Sequence, residues 1–209
     1  MTEEERRAIQ SLRDRDGMTF AAIAGLLGRK EQSVRANYLR DRERPDFACG
    51  ADTPPLPRER TLVLFKPDAV RRRLVGKLMG RFEYIGLDLI ISRRTTITGA
   101  DFVHRHHPDL VDKHGPVIAA AVVKYMTSGP LIATIWEGYR AIDASRRIIG
   151  STFPAEAARG TIRRDFSQMS RDEVLVTTTM TGNLVHGSRT ANEAKREIAL
   201  WFGAGSCGR

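Results

Sequence analysis

The sequence predicts an α/β protein, an α+β sandwich in which helices cover a four-stranded antiparallel sheet, with a small three-helix domain in front of it. Three observations predict this. Apolar runs of strand length alternate with stretches of helical spacing from about residue 59 onward. Several connections between them have hairpin length, which lets consecutive elements lie antiparallel. A proline-rich, aperiodic stretch, Arg44-Pro45-Asp46 and then Gly50 to Pro57, separates this block from an all-helical one. The domains read as 1–44 for the helical module, 45–58 for the linker, 59–204 for the sandwich and 205–209 for a flexible tail.

In the first block, Glu3 to about Arg13 places Ile9 and Leu12 on one face behind an acidic first turn, which suits the helix dipole. Asp16-Gly17 breaks that helix. Thr19 caps a second, with Phe20, Ile23, Ala24 and Leu27 at helical spacing, and Gly28 ends it. A third, from about Lys30 to Arg42, buries Val34, Tyr38 and Leu39. Short helices with a tight turn before the last follow the helix-turn-helix plan.

In the second block, Thr61 to Phe65 is a continuous apolar run, suited to a strand covered on both faces. After Lys66-Pro67-Asp68, a helical stretch carries Leu78, Met79, Phe82 and Ile85, and Gly86 leads to a second strand starting at Leu87. Thr98 and Asp101 have the spacing of a capping box for a helix through His104. Further elements are a helix from about Val117 to Met126, a strand from Pro130 to Trp136 and a helix from Ala141 to Ile149. The fourth strand ends on His186, and Thr190 with Glu193 caps the last helix. This succession is of the ferredoxin-like type.

Bulk properties narrow the function. In 209 residues, 41% hydrophobic and 28% charged content is that of a soluble folded chain. No apolar run reaches the roughly 20 residues that span a bilayer, and the acidic N-terminus is unlike a signal peptide, so a cytoplasmic location without membrane contact is expected. Cys49 and Cys207 fit neither a disulfide framework nor a zinc quartet. The net charge of +9 points to an anionic partner without specifying it.

The chemistry gathers at the C-terminal end. His186 ends a short apolar strand, and Glu197 falls inside the inward stripe Ala194, Ile198 and Trp201 of the following helix. A carboxylate there must find a partner, and His186 is the natural candidate. A carboxylate that fixes which ring nitrogen keeps the proton prepares the other one as a nucleophile.

Several motifs then occur in one order: Lys66-Pro67-Asp68, Leu74-Val75-Gly76, Lys124 to Pro130, Trp136-Glu137-Gly138, Gly160 to Arg163 and Asn183 to Ser188. From about Arg58 to Phe202 the chain resembles the nucleoside diphosphate kinases. The resemblance implies ping-pong transfer of a γ-phosphate between nucleoside tri- and diphosphates through a phosphohistidine. It implies His186 as nucleophile, Glu197 as its orienting partner, Ser188 beside it, and Lys66, Arg146, Thr152, Arg163 and Asn183 on the phosphates. Mg2+ is implied as the cofactor carried by those phosphates, and a homo-oligomer, tetramer or hexamer, as the assembly. No complete Gly-rich Lys-Ser/Thr loop exists, which argues against a P-loop kinase.

The chain departs from the family pattern at named places. His107 stands where tyrosine is usual near the phosphates. Leu110 with Val117 or Ile118 leaves an aliphatic clamp for the base in place of an aromatic one. Arg164 and Arg189 replace a glycine and an acidic residue, and the stretch between Phe166 and Asn183 is longer than usual. His104, His106, His107 and His114 fit only loosely on one helix face, and no cysteine or acidic cluster completes a site, so no metal held by the protein itself is expected.

The segment Met18 to Arg29 with Ser33-Val34-Arg35 resembles the Myb/SANT-like group of homeodomain-like folds. That resemblance implies that Arg29, Lys30, Gln32, Ser33, Arg35, Ala36 and Arg40 include the residues facing a DNA duplex, arginine reading guanine edges and other cations neutralising phosphates. The competing reading makes the module a protein-docking element. At the level of the whole chain, the alternative to an active kinase is a DNA-associated regulator whose kinase-like domain senses nucleotides with little turnover.

Overall fold

The computed structural model describes residues 1–14, 16–42, 58–167, 182–203 and 205. The expected linker up to residue 57, most of the long stretch before Asn183, the end of the tail, Cys49 and Cys207 lie outside the described residues.

The N-terminal helices are α1 (Glu3–Asp14), α2 (Phe20–Leu27) and α3 (Glu31–Arg42). α1 opens with a reciprocal capping box. The Glu5 N–H donates to Thr2 Oγ1 at 3.1 Å, and the Thr2 N–H donates to Glu5 Oε2 at 2.9 Å. Thr19 Oγ1 accepts the Ala22 N–H at 3.1 Å, and Gly28, at φ 63°, closes α2 in the left-handed conformation that glycine adopts without strain. Val34 and Tyr38 are buried on α3, whereas Leu39 is 48% exposed and is not part of that core.

The sheet contains β1 (Arg58–Phe65), β2 (Asp88–Thr96), β3 (Pro130–Tyr139) and β4 (Val185–Gly187). All pairings are antiparallel, in the order β2-β3-β1-β4. The covering helices are α4 (Pro67–Arg71), α5 (Val75–Tyr84), α6 (Ala100–His106), α7 (Leu110–Met126), α8 (Ala141–Ile149), α9 (Ile162–Phe166) and α10 (Ala191–Phe202), with one 3-10 turn at Pro154–Glu156. This is the ferredoxin-like sandwich. The apolar run of β1 alternates between its two faces. Leu62 and Leu64 join a cluster with Met126, Ile198 and Trp201, while Val63 and Phe65 join one with Leu78, Phe82 and Trp136.

Expected boundaries move: the third strand runs on to Tyr139, and the histidine strand starts at Val185 and passes His186 to end at Gly187. α6 is capped by Gly99 without a side-chain bond, so Thr98 lies one residue outside the helix and does not cap it. α7 starts at Leu110, seven residues before the expected Val117, and breaks at Gly115, where φ is 76° and ψ 166°. Pro116 excludes helical backbone at the residue before it, and glycine supplies the required positive φ.

The N-terminal helices are not strung apart from the sandwich. Ala8, Ile9, Leu12, Ile23 and Leu27 belong to the same apolar cluster as Phe82, Ile85, Ala141 and Ala144. α2 approaches so closely at Gly25 that a Cβ there would lie 2.9 Å from Ile85 Cγ2. The Tyr139 hydroxyl donates to Glu4 Oε1 at 3.3 Å. Among the described residues, no helix is long and apolar enough to cross a membrane.

Candidate active site

The site is built on a tight reversal before β4. Leu184, fully buried, has φ 61°, and the Val185 N–H donates to Asn183 O at 2.7 Å across it, a γ-turn. A non-glycine residue in left-handed conformation costs roughly 1–2 kcal/mol, so its surroundings must hold it. They do so at both backbone groups. The Lys66 N–H donates to Leu184 O at 2.8 Å, and the Leu184 N–H donates to Asp68 Oδ2 at 3.2 Å. The other oxygen of Asp68 accepts the Tyr125 hydroxyl. Asp68 and Tyr125 were visible in the sequence only as parts of motifs; what they support is a backbone conformation far along the chain.

β4 pairs with β1 through Val185, His186 and Gly187 alone. His186 Nε2 lies 3.0 Å from Glu197 Oε1, on α10. Glu197 is fully buried, and its Oε2 accepts the Ser188 hydroxyl at 2.6 Å. Ser188 Oγ in turn accepts the Leu62 N–H at 3.3 Å. The carboxylate is therefore bound at both oxygens, and it assigns the His186 proton to Nε2. Nδ1 is left with its lone pair. The side chain of His186 keeps 12% of its surface exposed, which is access enough for a reactant at one ring edge.

Two cations lie beside it in near-complete burial. Lys66 Nζ donates to Asn183 Oδ1 at 2.7 Å and is 7% exposed. Burial, then the charge of Arg163, pushes its pKa down to about 7, against the opposing pull of Asp68. Arg163 donates to the carbonyls of Asn183, Gly150 and Val185 at 3.2, 3.0 and 2.7 Å. Burial lowers its pKa to about 10. Both cations are thus held out of water by oxygens of the chain, Lys66 by the Asn183 side chain and Arg163 by three main-chain carbonyls.

Of the remaining expected residues, Arg146, Thr152 and His107 are tied to this centre. Arg146, exposed on α8, adds to the field that depresses Arg163. Thr152 is exposed, and its carbonyl accepts Asn183 Nδ2 at 3.5 Å. The His107 ring lies 5.4 Å from that of His186, and burial, then His186, brings its pKa down to about 2. Leu110 is buried in the core cluster beneath α7, with Ile118 packed against it, while Val117 is 61% exposed. Of the expected helix-turn-helix residues, Lys30, Gln32, Ser33, Arg35, Ala36 and Arg40 are exposed, whereas Arg29 grips the Glu5 carboxylate at 3.0 and 3.1 Å.

His106 is the residue whose placement the sequence did not suggest. It is 1% exposed, its Nδ1 accepts the Trp201 indole N–H at 3.2 Å, and that same nitrogen lies 3.6 Å from Glu197 Oε1. Its ring centre is 4.5 Å from that of His186, and its Nε2 is buried without a hydrogen-bond partner. The C-terminal end of α6 supplies His106 and the residue after it His107, but the ring they meet comes from β4, eighty residues on from His106.

Comparison with known proteins shows the family of the chain. The family described as nucleoside diphosphate kinase matches residues 59–206. The mitochondrial nucleoside diphosphate kinase of Columba livia is 42% identical over 157 residues, covering 74% of this chain and 77% of its own. The Mycolicibacterium smegmatis enzyme is 43% identical over 145 residues, or 69% of this chain and 94% of its own. Among solved structures, the Borrelia burgdorferi nucleoside-diphosphate kinase with bound vanadate and ADP, a transition-state mimic, superimposes with a TM-score of 0.67 at 30% identity, over 73% of this chain and 91% of that one. The NDP kinase of Pyrobaculum aerophilum gives 0.65 at 32% identity, over 73% of this chain and all of its own. The pocket that presents His186 between buried cations is thus carried by a chain that belongs to the nucleoside diphosphate kinase family.

Proposed function

We propose that this nucleoside diphosphate kinase works by ping-pong transfer through a phosphohistidine at His186. The observation that carries the reading is the Glu197 contact at 3.0 Å, which reserves Nε2 for the proton and leaves Nδ1 as the nucleophile. Nδ1 attacks the γ-phosphorus of a nucleoside triphosphate, the bond to the bridging oxygen breaks, and the diphosphate leaves with that oxygen's electron pair. An oxygen of a second diphosphate then takes the phosphoryl group from Nδ1 and returns the ring to its starting state. The spread negative charge of the transferring group calls for fixed cations and donors rather than further covalent chemistry. Lys66, Arg163 and Asn183, with Arg146 and Thr152 at the rim, fit that role. Ser188 holds the second oxygen of Glu197, so it acts on the ring through the carboxylate.

Mg2+ belongs to the substrate in this reading. Glu197 is spent on His186 and Ser188, and no other carboxylate approaches the ring among the described contacts, so the phosphates rather than the protein would supply the hard oxygen ligands. Incubation with γ-labelled ATP and Mg2+ should give an acid-labile, alkali-stable phosphoenzyme that His186→Ala abolishes. Folded wild-type protein that takes up no label would overturn the proposal. For the N-terminal helices, the exposed face of α3 with Lys30, Gln32, Arg35 and Arg40 supports a duplex-contacting helix-turn-helix. Binding to a DNA duplex that weakens steeply with salt would bear it out, and salt-insensitive or absent binding would remove it.

A further inference from the structure

His106, His107 and His186 bring together one ring nitrogen each within 4.8 Å of the others. We propose that these three rings form a binding site for a divalent transition cation, Zn2+ in the first place, and that its occupation blocks phosphorylation of His186. Three neutral imidazoles suit zinc, nickel and copper, and do not suit Mg2+, which demands oxygen.

The nitrogens available are defined by what holds the others. Glu197 takes Nε2 of His186 at 3.0 Å, leaving Nδ1. Trp201 and Glu197 lie against Nδ1 of His106, leaving Nε2, which is buried and without a partner. A carboxylate behind the ring is the usual support of a metal-binding histidine, and here one carboxylate stands behind two of them. Ligation by His106 Nε2 moves the proton of that ring to Nδ1, where Glu197 Oε1 at 3.6 Å can accept it, and the Trp201 N–H gives up its acceptor. His107, which follows the last residue of α6 and is only half-buried, is the ring with freedom to close the site. Zinc–imidazole bonds of about 2.0–2.1 Å require nitrogens about 3.4 Å apart in a tetrahedral site, so a closure of the order of 1 Å is needed.

Glu197 Oε1, 3.0 Å from His186 Nε2 and 3.6 Å from His106 Nδ1, sets a carboxylate behind two of the three rings, against the charge a bound cation would bring. The fourth position is open to water.

Equilibrium dialysis of the full chain against Zn2+, in excess Mg2+ and without nucleotide, should give one tightly held ion per chain. His107→Ala and His186→Ala should each weaken it about 100-fold or more, while His104→Ala and His114→Ala leave it unchanged. His107→Tyr, which keeps an aromatic ring, should show the same loss, guarding against misfolding of the alanine variant. Substituted Co2+ should give the visible spectrum of a tetrahedral nitrogen site, absent in His107→Ala. No bound zinc, or binding that follows His104 or His114, would overturn the site. The blockade rests on the phosphohistidine reading, whereas the dialysis does not. Labelling of His186 should fall in proportion to zinc occupancy, and undiminished labelling at full occupancy would refute the blockade. A protein that binds zinc at these rings but never takes label would refute the phosphohistidine and leave the metal site standing.

Discussion

The pocket around His186 and the three N-terminal helices are pressed against the same sandwich by opposite means. In the pocket, Lys66, Asp68, His106, Arg163, Asn183, Ser188 and Glu197 are all within 9% exposure, each a polar group taken from water. Nearly every one is returned to stability by a directional bond to a neighbour from a distant segment. The N-terminal helices instead share one apolar cluster with the sandwich, in which Ala8, Ile9, Leu12, Ile23 and Leu27 lie and whose attraction scales with area and has no direction, with the long Tyr139–Glu4 hydrogen bond as a directional addition. The difference teaches where single atoms matter. One lost oxygen in the pocket strands its partners, whereas one lost methyl in the helices leaves a hole that its surroundings partly fill.

Substitutions can sharpen or break that contrast. The largest effect is expected for Glu197→Gln, which keeps the volume but offers the His186 ring an amide in place of a carboxylate. Phosphoenzyme formation should fall about 1,000-fold, by analogy with other imidazoles that lose their orienting carboxylate. A fall below threefold would mean that this carboxylate does not set the ring.

Next comes Ile23→Ala, a fully buried deletion in α2 that should cost about 2–4 kcal/mol. Both tryptophans, Trp136 and Trp201, lie in the sandwich. If the helices and the sandwich unfold as one body, the unfolding free energy read from their fluorescence in urea should fall by that amount, and the midpoint with it. An unmoved midpoint would show that the N-terminal helices melt alone and that the shared core has no cooperative consequence.

The pocket offers a subtler test through Lys66. Its folded pKa of about 7 lies below the unfolded value of 10.5, so between these limits the unfolded chain binds more protons. Ligand-free stability should therefore rise with pH from about 7 to about 10.5 and be insensitive to this group below pH 6. Phosphates beside the amine favour its charged form, so nucleotide binding at pH 8 should take up close to one proton, and Lys66→Met should remove that uptake. Calorimetry in buffers of different ionisation enthalpy reads it directly; equal uptake in the variant would place the proton elsewhere.

The smallest effect belongs to the surface. Arg29 is 45% exposed where it pairs with Glu5, and Arg29→Ala should cost only about 0.5–1 kcal/mol in thermal or urea denaturation. A loss of several kcal/mol would show that the helical unit, too, depends on a directional bond.

Much of the fold was legible because its signals are local. The continuous apolar run of β1, the Thr19 and Thr190 caps, the Gly28 stop and the inward stripe of α10 each act within a few residues. Where local signals misled, a neighbour decided the matter: Gly99 rather than Thr98 caps α6, and α7 runs on either side of the Gly115-Pro116 break. The reciprocal bond of Thr2 and Glu5 was also local, carried by a Thr-x-x-Glu spacing that the acidic first turn hid.

For the site, the sequence by itself determined which residues to place together: His186 on a short strand, which the structure starts at Val185 and carries past the histidine to Gly187, Glu197 on an inward helical stripe, and an ordered series of motifs that supplied Lys66, Arg163 and Asn183. Only the tertiary structure decided which nitrogen of His186 faces Glu197, that Arg163 spends its guanidinium on three carbonyls, that Asp68 and Tyr125 hold Leu184 in its left-handed turn, and that His106 rather than His104 stands behind the ring. The reason is physical. Periodicity and capping are properties of neighbours along the chain, whereas the compensation of a buried charge depends on whatever the sheet order brings within about 3 Å, and that partner can come from any point in the sequence.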